Sequence, residues 1–144
     1  MLTREEICDL MPHAGKMCLI DELMRWDEEQ ILCLAHSHLA ADNPLRSDGL
    51  LSAVHGVEYG AQAVGLHGGL LARQQGRLPA AGYLVGLRNV RIRRRRLDDA
   101  DGPLVISARQ LLADDHNLLY AFRLTLNDEP VTEGRVAIIT HREM

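Results

Sequence analysis

Residues 50–72, LLSAVHGVEYGAQAVGLHGGLLA, carry one formal charge, Glu58. Burying an unpaired carboxylate costs several kcal/mol or more, so such a residue is seldom kept without a use. Desolvation would favour the neutral acid, the form suited to general acid or base work near neutral pH. His55, Glu58 and Gln62 follow one another at spacings of three and four, which places them along one face of a helix as a polar stripe. Each also has a structural reading. Glu58 could reach solvent at the helix edge or pair with Arg88, and His55 could be a satisfied core or dimer-interface histidine. Gln62 reads as a helper that hydrogen-bonds backbone or ligand, not as a reactive group.

A second concentration of chemistry is RNVRIRRRRL, in which Arg88, Arg91, Arg93, Arg94, Arg95 and Arg96 fall within nine residues of a chain of net charge −4. Such a patch can hold phosphate or an acidic partner surface, or it is a solvated strand end balanced by Asp98, Asp99 and Asp101. RNA is a poor fit, because aromatic stacking residues are lacking beside the arginines. Among the histidines only His36 and His38 are spaced like ligands; in a strand they point the same way, and two ligands do not make a metal site. No metal and no cofactor is expected. Nucleophile-elbow, P-loop and dinucleotide motifs are absent from the sequence. Cys8, Cys18 and Cys33 are odd in number and lack a metal-ligand spacing, which suggests free, buried thiols in a reducing compartment and no disulfide.

The elements that must position these groups follow from pattern. Thr3 and Glu6 have capping-box spacing, predicting a short helix over residues 4–10 that ends at Pro12 and Gly15. Residues 17–24 and 30–37 read as two strands joined by the polar turn 27–29. AADNPLRSDG is rich in turn formers and offers Ser47 or Asp48 as the N-cap of the long helix. In that helix Leu50, Val54, Val57, Ala61 and Val64 form an apolar face, while Ala53, Gly56, Gly60 and Ala63 form a face of very small residues that permits close backbone approach. A loop from Gly76 to Gly82 leads to four strand-like runs, YLVGLRNVRI, ISARQLLA, LLYAFRLTL and PVTEGRVAIITH. In the third, Tyr120, Phe122, Leu124 and Leu126 alternate with Arg123, Thr125 and Asn127. A turn at residues 127–130 closes the last hairpin.

One long, poorly charged helix among antiparallel strands predicts an α+β domain with the sheet curled round the helix. A chain of 144 residues suits a single domain over residues 1–144. The acidic balance argues against nucleic acid as a partner. The first residues do not read as a signal peptide. Residues 50–72 could span a bilayer by length, but Ser52, His55, Gln62, His67 and several glycines argue against it. No membrane partner and a cytoplasmic location are expected.

Several segments resemble the hotdog-fold 3-hydroxyacyl-[acyl carrier protein] dehydratases. MPHAGKMCLIDEL is similar to their start, where a short helix leads through a Pro-His segment to a first strand ending in an aspartate. GVEYGAQAVGLHG resembles their central helix, the E-x-x-A-Q core being Glu58, Ala61 and Gln62. YLVGLRNVRIRR resembles their G-x-x-x-x-[KR] strand, with Gly86 and Arg91 at the motif positions. The resemblance implies a hotdog fold, a curved antiparallel sheet wrapped around one long helix, and a dimer whose sheets join edge to edge. It further implies an acyl chain on the phosphopantetheine of an acyl carrier protein as substrate. In that family a histidine takes the α-proton and the helix acid helps the β-hydroxyl leave, a role that Glu58 would inherit. Gln62, Asn43 and Gly86 become candidate substrate-binding residues, and Arg91, Arg93, Arg94 and Arg95 the candidate partner-binding surface.

The family's loop histidine is expected where this sequence reads DNPLRSDG, with Asn43 and Pro44 in its place. Asn cannot abstract a proton, so His55 becomes the candidate base. The resemblance is nearest to a divergent, dehydratase-like branch associated with polyene-type fatty-acid pathways. Two other readings stand beside dehydration. One is a thioesterase in which Glu58 activates water or attacks the thioester carbonyl, helped by Gln62 and a backbone N–H. The other is non-enzymatic, either the catalytically silent half of a heterodimer with an active dehydratase or an acyl-carrier-binding subunit using the arginine-rich strand; the assembly expected is a homodimer or a heterodimer with another hotdog subunit.

Overall fold

The computed structural model describes residues 2–11, 17–77 and 82–140. Thr3 and Glu6 form the reciprocal capping box that starts α1 (Arg4–Asp9). Pro12, His13 and Gly15, expected to end that helix and open the Pro-His segment, lie outside the described residues, as do His141 and most of the loop before Gly82.

The first strand is shorter than its sequence suggests. β1 (Glu22–Trp26) begins well after residue 17, because Cys18, Leu19 and Ile20 are buried with the backbone of Leu19 claimed by side chains instead of a neighbouring strand. Asp27 Oδ1 accepts from the N–H groups of Glu29 and Gln30, closing the expected turn into β2 (Gln30–Ala35). His36 then caps a short 3₁₀ turn, Ser37–Leu39. The two histidines therefore do not share a strand face: His36 is exposed and His38 is buried.

The long helix also starts later than expected. Asp48 and Gly49 have positive φ and form a turn, and residues 50–52 run extended against the arginine-rich segment, where Ser52 bridges Arg96 and Leu97 N–H donates to Leu51 O. Ser52, not Ser47 or Asp48, is the cap: its Oγ accepts from Val54 N–H at the head of a 3₁₀ turn, Ala53–His55, which runs into α2 (Gly56–Gln74).

Four further strands complete the architecture: β3 (Gly82–Ile92), β4 (Leu104–Ala113), β5 (Asn117–Leu126) and β6 (Glu129–Thr140). All pairings are antiparallel, in the order β1-β2-β4-β5-β6-β3. Asn127 and Asp128, both at positive φ, make the tight β5–β6 turn. The alternation of β5 holds: Tyr120, Phe122, Leu124 and Leu126 are buried and Arg123 is exposed.

α2 lies on the inner face of this sheet, and its small-residue face makes the contact. A Cβ at Gly60 would overlap the Phe122 ring, and one at Gly56 would overlap Thr132, whose hydroxyl donates to Ala53 O. The supposed apolar face is instead a flank: Val64 is buried, Val57 and Ala61 are half-buried, and Val54 is exposed. The core comprises Tyr59, Ala63, Leu66 and Leu70 of α2 packed on Ile31, Ile106, Tyr120 and Val136 of the sheet, with Ile7 and Met11 below. No helix among the described residues is long and apolar enough to cross a membrane.

Candidate functional site

Glu58 lies in the first turn of α2. It is half-buried, not enclosed, so the full desolvation expected of it is not found; only one flank of the helix start is covered. Its Oε1 accepts from Gln62 Nε2 at 3.1 Å. Among the described residues, neither Arg88 nor any other cation forms an ion pair with it.

Gln62 is 3% exposed and fully committed. Its two amide hydrogens go to Met17 O at 2.6 Å and to Glu58, and its Oε1 accepts from Leu19 N–H at 2.8 Å. With no donor to spare, its geometry suits positioning: it fixes Glu58 and ties residues 17–19 to the helix.

Leu19 is the hub of a second chain of bonds. Ser37 Oγ donates to Leu19 O at 2.7 Å, which spends its only proton, so the 2.9 Å contact with Tyr59 must be donated by the tyrosine. Asn43 Nδ2 donates to Tyr59 Oη and to Ser37 O, while its Oδ1 accepts from Leu45 N–H. Asn43, expected to touch substrate, is thus buried and spent on holding the loop and Tyr59. Burial pushes the Tyr59 hydroxyl above its ordinary pKa, in keeping with a neutral donor. Beside this hub opens a cleft of about 360 Å³ walled by Arg4, Asp21, His36, Asp42, Asn43 and Pro44, among others. Glu58 is not among its walls.

His55 is half-buried at the junction of the 3₁₀ turn and α2. No hydrogen bond joins its ring to Glu58 or to another described residue, so the polar stripe exists as spacing without becoming a bonded pair. Gly86 sits on the edge strand β3 beside an irregularity in its pairing with β6, and a Cβ there would meet only open space.

The arginine run divides. Arg93 pairs with Glu133 at 2.9 Å and Arg94 with Asp99 at 2.7 Å, while Arg91 and Arg95 are exposed and form no ion pair among the described residues. Arg96 belongs to the fold: it and Arg46 converge on Asp98, whose side chain is 3% exposed. The two guanidinium groups hold that carboxyl far below its usual pKa and lock the loop before α2 to the loop after β3. The balance of arginines by Asp98 and Asp99 therefore accounts for part of the patch.

Three groups of consequence carried no local signal. Tyr59 is adjacent to Glu58 in sequence, yet its partners arrive from residues 37 and 43. His67 lies two turns beyond Tyr59 on the same helix face and is enclosed: its ring contacts Tyr120 Oη through Nδ1 at 2.6 Å and Asp27 O through Nε2 at 2.7 Å. Cys8 and Cys18 are joined in a disulfide, Cα–Cα 5.7 Å, which corrects the expectation of free thiols. α1 folds back over residues 17–20, bringing the two within bridging distance. Cys33 is free and buried, with its pKa pushed up to about 12.

A six-stranded antiparallel sheet with one long helix across it is the hotdog fold. The chain belongs to the ApeP-like family: the family model described as ApeP dehydratase matches residues 5–144. No curated protein matches the sequence. Among solved structures, the dehydratase heterocomplex ApeI:P from Xenorhabdus doucetiae is similar with a TM-score of 0.83 and 20% identity, over 95% of this chain and 91% of that one. A hypothetical thioesterase with coenzyme A from Streptococcus pneumoniae gives a TM-score of 0.62 and 12% identity, over 85% and 86%. The conserved protein PA5202 from Pseudomonas aeruginosa gives 0.64 and 16%, over 92% and 97%. At these identities the structural likenesses speak to the fold alone.

Proposed function

We propose that this chain, a single hotdog domain, is a subunit of a dehydratase acting on 3-hydroxyacyl thioesters of an acyl carrier protein, in fatty-acid or polyene-type biosynthesis. The observation that carries the reading is Glu58: the lone acid of the first turns of α2, unbridged by any described cation and aligned by an amide with no other freedom. In this reaction a base removes the proton at C2 of the acyl chain, the C3–O bond breaks, and Glu58 gives its proton to the departing hydroxide. Water and a C2=C3 double bond result, and the thioester stays intact. His55, on the preceding turn, is the candidate base within the chain.

Because no described imidazole is bonded to Glu58, the reading extends to a shared site completed by a second hotdog subunit. Two features support that. The ApeI:P neighbour is a dehydratase heterocomplex, and β3 is an edge strand whose Leu84, Val85, Leu87 and Ile92 are exposed, the surface that edge-to-edge joining would cover. Arg95 remains available to a carrier's acidic surface. The reading keeps the protein in the cytoplasm with its carrier, although the thiol argument for that compartment falls away with the Cys8–Cys18 bridge.

The test is enoyl formation from a 3-hydroxyacyl-carrier thioester by the chain alone and mixed with a second hotdog subunit. Glu58→Gln lowers the rate at least about a hundredfold; an unchanged rate overturns the assignment. Gln62→Leu lowers it by a smaller factor while a folded helix is retained by circular dichroism. Free thiol appearing without an enoyl product would indicate thioester hydrolysis instead.

A further inference from the structure

The outer face of the sheet, turned away from α2, collects arginines that are scattered in the sequence. Strand register places Arg25, Leu32, Ser107, Arg123, Glu133 and Arg91 in one row across all six strands. The adjoining row runs Gln30, Arg109, Ala121, Arg135 and Arg88. Within these two rows six exposed arginines face one acid, Glu133, in a protein of net charge −4; Glu133 is already engaged by Arg93 and Arg123, and Asp27 is the other acid that lines the groove. Between them the floor is small, made by Ser107 and Ala121, and the walls enclose a groove of about 820 Å³.

We infer that this face is a docking surface for an acidic protein surface, a carboxylate-bearing helix or loop laid across the strands. Charge complementarity selects the occupant. Six strands span about 24 Å, the length of a helix of about 16 residues, whereas a single phosphate needs donors that converge on one point. Nucleic acid fits less well in a chain of net charge −4: of the two aromatic residues that line the groove, Phe122 is buried and Trp26 half-buried, both in inward-facing rows. The turns at both strand ends are acidic, with Asp27, Glu28, Glu29, Asp114 and Asp115 at one end and Asp128 and Glu129 at the other. A second copy presenting the same face is repelled. The sheet separates this surface from α2 and Glu58, so it serves a partner held by the subunit and not the delivery of substrate to the acid; the inference is independent of the reaction proposed above.

The probe is a fluorescein-labelled helical peptide of about 16 residues with glutamates along one face, titrated against the full chain and read by fluorescence anisotropy. The expected result is salt-sensitive binding that Arg109→Glu/Arg135→Glu weakens at least about tenfold with the melting temperature unchanged. Arg73→Glu/Arg77→Glu, equal in charge but at the far end of α2 and off this face, leaves it intact. Should the double reversal destabilise the chain, Arg109→Ser/Arg135→Ser replaces it, with a smaller loss expected. Equal loss in both pairs, no loss in either, tighter binding of duplex DNA of matched charge, or a reversal-sensitive oligomer of the chain itself would each overturn the inference. Glu58→Gln leaves this binding unchanged, which separates it from any failure of the catalytic reading.

Discussion

At the scale of single residues, protonation is written into the core. Asp27 O can only accept, so His67 Nε2 carries the ring proton and Nδ1 accepts from Tyr120, whose own hydroxyl burial holds in its neutral form. Accepting at Nδ1 requires a neutral imidazole, and burial lowers the ring's proton affinity below the ordinary value, outweighing the opposing pull of the Asp27 carbonyl; buried His38 is shifted the same way. The unfolded chain therefore takes up protons first as pH falls. Stability from these two residues is complete above about pH 6.5 and drains away as pH drops through that value. Melting temperature should decline between neutral pH and pH 5, and His67→Gln should melt lower at neutral pH, by about 1–3 kcal/mol of stability, yet show a shallower decline. A variant with the wild-type slope would show that His67 does not supply it. Glu58 and Gln62 were visible as residue types at helical spacing. Their partners at Met17 and Leu19 were not, because no local pattern reports a contact across more than forty positions.

At the scale of elements, the approach of α2 to β5 and β6 is set by glycine. Gly60→Ala places a methyl group into the Phe122 ring, a rigid neighbour at the centre of the sheet, and should cost about 1–3 kcal/mol, read as a lower midpoint in urea; a neutral result would mean that α2 can slide. The small-residue face was legible from spacing, as were the four later strands, since those signals are local. The starts of β1 and α2 were not. Residues 17–20 have strand-like composition, and Ser47 and Asp48 have cap chemistry. The outcome is decided by tertiary partners, Gln62 and Ser37 for the first and the Arg96 bridge for the second.

For the molecule as a whole, connectivity departs most from what the sequence discloses. An odd number of cysteines says nothing of which two are brought together, and the arginine rows exist only once strand register is known. With the Cys8–Cys18 bridge formed, thiol titration should find none reactive in the native chain, one in denaturant, Cys33, and all three when reductant is added. Three in denaturant without reductant would rule the bridge out. The uncovered β3 edge bears on the life of the protein in a cell. A strand with free backbone groups and apolar side chains open to water, Val85 at 56% exposure, invites mispairing with other chains. Copies synthesised beyond the supply of whatever covers that edge would go to aggregates, chaperones or proteases. On the proposed pairing with a second hotdog subunit, abundance is tied to the stoichiometry of expression, and a chain produced alone should accumulate less than one produced together with that subunit.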